Sequence, residues 1–166
     1  MVHVLQLSCL LAETEKRGAA MIKIPVKILI VDDERDFVEM LSLRLKEAGE
    51  HVFSAYNGEE CLDKLAREPV DVVILDIRMP DMDGIEVLKK IKKRFPLTEV
   101  IMLTGHGSIE TAVEGMKLGA FDYLLKPSDF KDLLIKIAVA VKRKEDQEER
   151  IRKAETKMLL RRSGGF

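Results

Sequence analysis

Short apolar runs, rich in β-branched residues, alternate with amphipathic stretches along most of the chain. The apolar runs lie near residues 27–31, 51–55, 71–75, 99–103 and 121–125. Most of them lack polar alternation, which is typical of strands that are buried on both faces of a parallel sheet. The pattern therefore predicts five parallel strands separated by helices.

The amphipathic stretches predict five helices. They cover Glu34–Ala48, Gly58–Arg67, Gly84–Arg94, Ser108–Leu118 and a last helix from Ser128 onward. Glycines and prolines lie between most of these elements, as expected of turns and loops. Strand and helix alternating five times, with right-handed crossovers, predict an α/β fold. We expect a flavodoxin-like, doubly wound sheet of order 2-1-3-4-5 with an extended last helix.

Length and charge limit the classes of function. At 166 residues the chain holds one domain plus additional segments. The net charge of −1 gives no overall attraction to nucleic acid or to anionic membranes, and no apolar run approaches the roughly 18 residues of a membrane span. Two cysteines, Cys9 and Cys61, are too few for a disulfide framework, and Cys61 is expected to face the core. We expect a cytoplasmic protein.

The chain divides into three parts. Residues 1–25 are expected to be an accessory or disordered leader, residues 26–141 a folded domain, and residues 142–166 a helical linker or tail. The apolar part of the leader has no Lys or Arg before it and no small-residue cleavage site after it. It therefore does not have the features of a signal peptide.

The tail combines charge with a weak helical repeat. Residues 142–162 hold nine Lys or Arg against five acidic residues, and they contain no Pro or Gly. Interleaved acids and the absence of aromatic residues argue against direct binding of nucleic acid. A heptad spacing predicts a weak coiled-coil seam, although a solvated charged helix fits equally well. The seam consists of Ile137, Ala140, Lys144, Gln147, Ile151, Ala154 and Met158.

Polar residues with related chemistry follow four of the predicted strands. Asp32 and Asp33 come directly after the first strand, Asp76 after the third, Thr104 after the fourth and Lys126 after the fifth. Ligands of parallel sheets bind beyond the carboxyl ends of the strands, so these side chains are expected at one edge. Three carboxylates, a hydroxyl and an ammonium together predict a site for a divalent cation and a phosphoryl group.

Ordinary structural roles compete with this interpretation. Asp32 and Asp33 can cap the helix that begins near Glu34, because acids favour helix N-termini. Asp76 and Lys126 also come directly after predicted strands, as this pair does, and their presence favours the site over capping alone.

The four strand-end motifs resemble, in order, those of the receiver domain of two-component response regulators, in the CheY-like superfamily. They occupy residues 30–34, 75–84, 103–107 and 123–127, and the resemblance covers about residues 26–141. The stretch from residue 104 to residue 127 is most similar to receivers that precede AAA+ or helix-turn-helix output domains in bacterial regulators.

The resemblance implies a phosphoacceptor. Asp76 would take a phosphoryl group from a phosphohistidine of a sensor histidine kinase and form an acyl phosphate. A Mg²⁺ cofactor would be held by Asp32, Asp33, Asp76 and the backbone carbonyl of Arg78. Mg²⁺ binds few carboxylates and keeps positions for water and phosphate oxygens, which suits three acids. Such a chain is a self-phosphorylating acceptor with slow autodephosphorylation, and not an enzyme with a separate substrate.

The resemblance also implies a switch. Thr104 and Lys126 would contact the phosphoryl group, and Tyr123 on the last strand would follow the movement of Thr104. Plain sheet packing remains an alternative role for Thr104 and Tyr123. Arg78 and His106 flank the site at positions that modulate the lifetime of the phosphate in the family.

The resemblance implies partners as well. Receivers of this type control an output, here transcriptional regulation, and commonly form homodimers through the face of helix four, strand five and helix five. The C-terminal helix and its seam would be a second dimerisation element. A stand-alone receiver acting in a phosphorelay or through protein contacts is the alternative. Neither role requires this chain to bind nucleic acid or a membrane.

Two other classes share parts of the pattern. A phosphohydrolase of the haloacid dehalogenase type also forms an aspartyl phosphate, but it needs a second Asp where this chain has Arg78. A nucleotide-binding domain needs a phosphate-cradling loop, and residues 105–107 lack the G-x-G-x-x-G and Walker patterns. Asp81 and Asp83 are expected to be turn and capping residues and not further metal ligands.

Overall fold

The structure, a computed structural model, describes residues 23–164, and the predicted leader lies almost entirely outside them. This range contains five strands: Lys27–Val31 (β1), His51–Ala55 (β2), Val72–Leu75 (β3), Glu99–Thr104 (β4) and Asp122–Leu125 (β5). A helix follows each strand: Arg35–Glu47 (α1), Gly58–Arg67 (α2), Gly84–Arg94 (α3), Ile109–Lys117 (α4) and Phe130–Ser163 (α5).

The five strands form one parallel sheet of order β2-β1-β3-β4-β5. This confirms the predicted flavodoxin-like, doubly wound fold and its strand order. β1, β3 and β4 occupy the three central positions, and nearly every residue in them is buried. Burial on both faces is the physical reason for their continuous apolar sequence.

Alternate residues of the sheet contribute to two apolar layers. On one face, Leu29 and Val73 pack with α2 and α3, and on the other face Ile28 and Ile74 pack with α1 and α5. Cys61 of α2 is fully buried in the first layer, as predicted. Burial raises the pKa of its thiol to about 12, so the group stays protonated and contributes only packing.

Capping side chains determine where the last two helices begin. α5 starts at Phe130, two residues later than predicted, because the Asp129 carboxylate accepts the backbone N–H groups of Lys131 and Asp132. α4 starts at Ile109 because Ser108 is its N-cap. Ser and Asp are favoured at this position because their side chains accept the unpaired N–H groups of the first turn.

Helix α5 is continuous over 34 residues, as the extended last helix predicted. At the α-helical rise it is about 50 Å long. Its first turns pack on the sheet through Leu133, Ile137 and Ala140, which are all buried. The predicted seam is therefore shorter than expected, because Ile137 and Ala140 belong to the core of their own domain. No helix within residues 23–164 is long and apolar enough to cross a membrane.

A cluster of charged residues fastens α5 to the amino-terminal edge of the sheet. Glu99, the first residue of β4, is 1% exposed and accepts two hydrogen bonds from the Arg143 guanidinium, with the Lys92 ammonium 3.7 Å away. Next to it, Lys144 pairs with Asp71 at 2.6 Å. These contacts hold the helix just beyond the point where its apolar packing ends.

The ion pair between the buried Glu99 and the exposed Arg143 leads to a prediction about stability. Arg143→Met should lower the free energy of unfolding by about 2 kcal/mol, because the Glu99 carboxylate would keep only Lys92 as a nearby cation. Urea denaturation measures this difference. Lys153→Met, which removes an exposed pair with Glu149, should leave stability nearly unchanged. Equal effects of the two variants would contradict the structural role of the pair between Glu99 and Arg143.

Candidate functional site

The carboxyl ends of β1 and β3 bring three carboxylates together. Val31 and Leu75 are partners in the sheet, so Asp32 and Asp76, one residue further along each chain segment, lie side by side. Asp33 joins them from the loop after β1. One oxygen from each of the three acids lies within 4.8 Å of the others. Carboxylates at this spacing repel one another unless a cation lies among them.

The three acids differ in exposure. Asp32 and Asp76 are 1% and 5% exposed, whereas Asp33 is exposed and lines a cavity of about 730 Å³. Arg78 and His106 line the same cavity, which lies between the loops after β3 and β4. A hydrated ion or a small anion can therefore reach the acids from the side of Asp33.

Both carboxylate oxygens of Asp32 have protein partners. Oδ1 accepts the backbone N–H of Glu34 at 3.0 Å, and Oδ2 accepts the Lys126 ammonium at 2.5 Å. Burial raises the pKa of Asp32, and the hydrogen bond from Lys126 opposes that rise. The N-cap of α1 is Glu34, and it makes no side-chain capping bond. Helix capping therefore does not account for the acidic pair.

Lys126 is enclosed by groups from the loop after β1 and from the first turn of α1. Besides pairing with Asp32, its ammonium lies 3.5 Å from a carboxylate oxygen of Glu34 and 3.9 Å from the centre of the Phe37 ring. Burial alone would lower the pKa of Lys126, but the hydrogen bond that it donates to Asp32 and the charges of Asp32, Asp76 and Glu34 raise it on balance. The sequence pattern did not point to Glu34 or Phe37. The available signal was their place at the start of the helix that follows the first strand, Glu34 as the N-cap and Phe37 in the first turn.

Asp76 is a carboxylate with poor solvation. Burial, and then repulsion from Asp32, raises its pKa to about 6. The Lys126 charge, a hydrogen bond from the Thr104 hydroxyl and one from the Ile77 N–H act in the opposite direction. At pH 7 the group is therefore mostly ionised, although its surroundings do not fully compensate the charge.

Thr104 connects this carboxylate to the loop after β4. Its side chain is fully buried, and its Oγ1 accepts the backbone N–H of His106 at 3.2 Å. A hydroxyl has one proton, and the Thr104 hydroxyl can donate it to the neighbouring Asp76 carboxylate, whose pKa it lowers. Any change at Asp76 that attracts this proton more strongly therefore acts directly on the loop that carries His106.

Tyr123 contacts the same loop from β5. Its half-buried hydroxyl lies 3.2 Å from Oγ1 of Thr111, which forms the capping box of α4 with Ser108. A Cβ on Gly107 would collide with the Tyr123 hydroxyl, so the ring at this position requires glycine in the loop. Tyr123 is therefore linked to the start of α4. Thr111 was not among the residues that the sequence indicated.

Helix α3 fixes the loop that follows Asp76. The Gly84 N–H donates to the Ile77 carbonyl at 2.7 Å, and a Cβ on Gly84 would collide with the Asp76 carbonyl oxygen. Only glycine allows the helix to approach this peptide so closely. Asp83 caps α3 by accepting the Ile85 N–H at 3.0 Å, which confirms its predicted capping role. The start of α3 thus holds the backbone that carries the Asp76 carboxylate.

The donor set fits a hard divalent cation. Three neighbouring carboxylates supply the oxygen ligands that Mg²⁺ prefers, and the exposed side at Asp33 leaves room for waters and a phosphate oxygen. Within residues 23–164, no His or Cys belongs to the cluster, so it lacks the nitrogen and sulfur ligands typical of zinc sites.

Comparison with known proteins gives the family. A family model for the response regulator receiver domain matches residues 28–138. The response regulator protein PilR of Pseudomonas aeruginosa is 42% identical over 116 residues, and the transcriptional regulatory protein ZraR of Klebsiella oxytoca is 43% identical over 116 residues. Each match covers 70% of this chain and 26% of the relative, so the chain spans about a quarter of the length of these regulators.

The fold leads to the same family. A receiver domain protein (CheY-like) from Methanospirillum hungatei superposes with a TM-score of 0.72 at 35% identity. The superposition covers 75% of this chain and 99% of that one. Over residues 28–138, the chain therefore belongs to the response regulator receiver domain family.

Proposed function

We propose that the chain is a phosphoacceptor of a two-component system, in which Asp76 takes a phosphoryl group from a phosphohistidine of a sensor histidine kinase. The observation that carries this proposal is the buried Asp76 carboxylate, grouped with Asp32 and Asp33 beside the Lys126 ammonium. Mg²⁺ held by the three acids and by the backbone carbonyl of Arg78 would neutralise the acids and the incoming phosphoryl oxygens.

The transfer breaks the P–N bond of the phosphohistidine and forms a P–O bond to a carboxylate oxygen of Asp76. The imidazole leaves with the bonding electron pair and takes a proton from solvent. Since Asp76 is already ionised at pH 7, the attack needs no general base. The transition state spreads charge over three phosphoryl oxygens, so nearby cations and positioning supply most of the acceleration. Lys126 is the cation that the protein itself contributes.

The switch would begin at Thr104. Its hydroxyl, which lies beside Asp76, would donate its proton to a phosphoryl oxygen and draw the loop after β4 inward. Tyr123, which contacts this loop and the start of α4, would follow. Arg78 and His106 line the cavity beside the acids, where they can control the approach of water and so the lifetime of the phosphate.

The organisation of the chain supports a regulatory module. We assign residues 26–141 to the receiver, residues 142–166 to a helical linker or tail, and residues 1–25 to an accessory leader. The favoured role is control of an output in transcriptional regulation, because in the transcriptional regulatory protein ZraR the matching domain makes up only 26% of the chain. A stand-alone receiver in a phosphorelay is the alternative. The chain would act in the cytoplasm as an acceptor with slow autodephosphorylation, without a separate substrate and without binding nucleic acid.

An exposed apolar surface supports a phosphorylation-sensitive dimer. α4, β5 and α5 together expose apolar side chains at Ile109, Val113, Met116, Leu125, Ile135 and Val139. The tail adds exposed Ile151 and Met158, whereas Lys144 is held by Asp71 in its own domain. Because the seam is short, we propose a monomer–dimer equilibrium and not an obligate dimer.

The first test is labelling. Acetyl phosphate should label the chain only with Mg²⁺ or Mn²⁺ present, and Asp76→Asn should abolish labelling because an amide cannot form the acyl phosphate. Asp33→Ala should raise the metal concentration needed for half-maximal labelling. Intact-mass measurements follow each reaction. Asp81→Asn, which changes an exposed acid in the same loop, is the control and should label like the unmodified chain. Full labelling of the Asp76→Asn variant would reject the assignment.

The pKa of Asp76 predicts an effect on stability. A carboxyl whose pKa rises from 3.8 to about 6 on folding binds its proton more tightly in the folded state, so stability falls as the pH rises between these values. Above pH 6 that loss is complete, and Asp76→Asn avoids it. In metal-free buffer the variant should therefore unfold with a free energy higher by about 1–3 kcal/mol at pH 7.

Urea denaturation of both chains in buffer that contains EDTA, at pH 7 and at pH 4, measures this difference. Near pH 4 it should almost vanish, because Asp76 is then protonated in the folded chain. A difference that stays the same at both values would contradict the shifted pKa.

Sedimentation tests the dimer. Beryllofluoride with Mg²⁺, which mimics a phosphoryl group, should raise the dimer fraction of the intact chain. In a variant that combines Ile151→Asp and Met158→Asp the dimer should be weaker, since two charges would be placed in the exposed seam. Purely monomeric behaviour of both chains, with and without beryllofluoride, would reject the dimer.

A further inference from the structure

One aromatic residue of α1 lies directly against the cation of the site. The centre of the Phe37 ring is 3.9 Å from Nζ of Lys126, a distance at which an ammonium is attracted to the face of a ring. The other neighbours of the ammonium are the carboxylates of Asp32, at 2.5 Å, and Glu34, at 3.5 Å. The Lys126 side chain is 13% exposed, so the ring occupies a direction that water would otherwise fill.

The partners of Lys126 differ in how firmly they are held. Phe37 is half-buried and packs against the core layer between the sheet, α1 and α5, which restricts the movement of its ring. The Glu34 side chain is 64% exposed and can turn toward solvent. Asp32 belongs to the acids that would receive the divalent cation. The ring is therefore the neighbour of the ammonium that stays in place when the charges of the site change.

We propose that Phe37 is a positioning residue for phosphoryl transfer, which holds the Lys126 ammonium at the strand ends while its anionic partner changes from Asp32 to the phosphoryl group. A ring face attracts a cation but has no localised lone pair to compete with phosphoryl oxygens for its N–H donors. The inference rests on the proposed roles of Asp76 and Lys126.

A pure packing role for Phe37 predicts a different outcome. If the ring only fills the edge of the core, Phe37→Leu affects folding stability and nothing else. If the ring face positions the ammonium, Phe37→Leu impairs the site and Phe37→Tyr preserves it. Phe130 offers a matched control, because the Arg44 guanidinium lies 4.1 Å from its ring centre and Phe130 packs against the same core layer.

The experiment compares the full chain with its Phe37→Leu, Phe37→Tyr and Phe130→Leu variants. Each is titrated with beryllofluoride in the presence of Mg²⁺, and the initial rate of labelling by acetyl phosphate is measured. We expect Phe37→Leu to weaken binding and to slow labelling roughly three- to tenfold. Phe37→Tyr should restore most of the loss, and Phe130→Leu should cause much less.

Two further measurements separate positioning from packing. In a Lys126→Ala background, Phe37→Leu should add no loss, because the ring acts through the ammonium. In a chain with ¹³C-labelled lysine and no phosphoryl mimic, the ring current of Phe37 should displace the Cε signal of Lys126, which Lys126→Arg identifies. Phe37→Tyr should keep this displacement, and Phe37→Leu should remove it.

Two results would overturn this inference and leave the proposed function intact. One is an equal loss in the Phe37→Leu and Phe130→Leu variants, and the other is a Phe37→Leu loss that persists in the Lys126→Ala background. An unmodified chain that neither binds beryllofluoride nor accepts label would instead overturn the proposed function, and this inference with it.

Discussion

The arrangement of the site depends on one electrostatic constraint, the uncompensated negative charge at the carboxyl edge of the sheet. Asp32 and Asp76 directly follow paired residues of neighbouring parallel strands, so the fold cannot separate them without breaking the sheet. Both are buried, and burial together with mutual repulsion raises the pKa of Asp76. Lys126 offsets part of this charge. The remaining negative charge favours the binding of any cation that can reach the acids from the exposed side of Asp33.

The surroundings of the acids divide into fixed and movable parts. Gly84 and α3 hold the backbone of Asp76, while the core holds β1 and the first turn of α1. By contrast, Thr104 reaches the loop after β4, and Tyr123 reaches the start of α4, through single hydroxyl groups. The backbone on one side of Asp76 is thus fixed, whereas the loop on the other side is held by few hydrogen bonds. This asymmetry gives the domain a direction in which it can respond.

Much of this organisation could be predicted from the sequence because local patterns determine it. Apolar runs without polar alternation define central parallel strands, and the first residue after such a run lies at the ligand-binding edge, as Asp76 does. Contacts between distant elements carry no such pattern. A heptad spacing does not reveal whether Ile137 faces a second helix or its own sheet, and here it faces the sheet. Likewise, nothing local pairs Glu99 with Arg143 or places Phe37 against Lys126.

The ion pair between Glu99 and Arg143 fixes the base of the last helix, so the rest of this helix can act as a lever. Its first turns are packed and ion-paired to the sheet, and about 20 residues extend beyond Lys144, or about 30 Å at the helical rise. A tilt of the helix by only about 5° at this ion pair would move its C-terminal end by roughly 3 Å over this length. Glu99 is the first residue of β4 and Thr104 is the last. A single six-residue strand therefore joins the hydroxyl beside Asp76 to the residue that fixes the base of the helix.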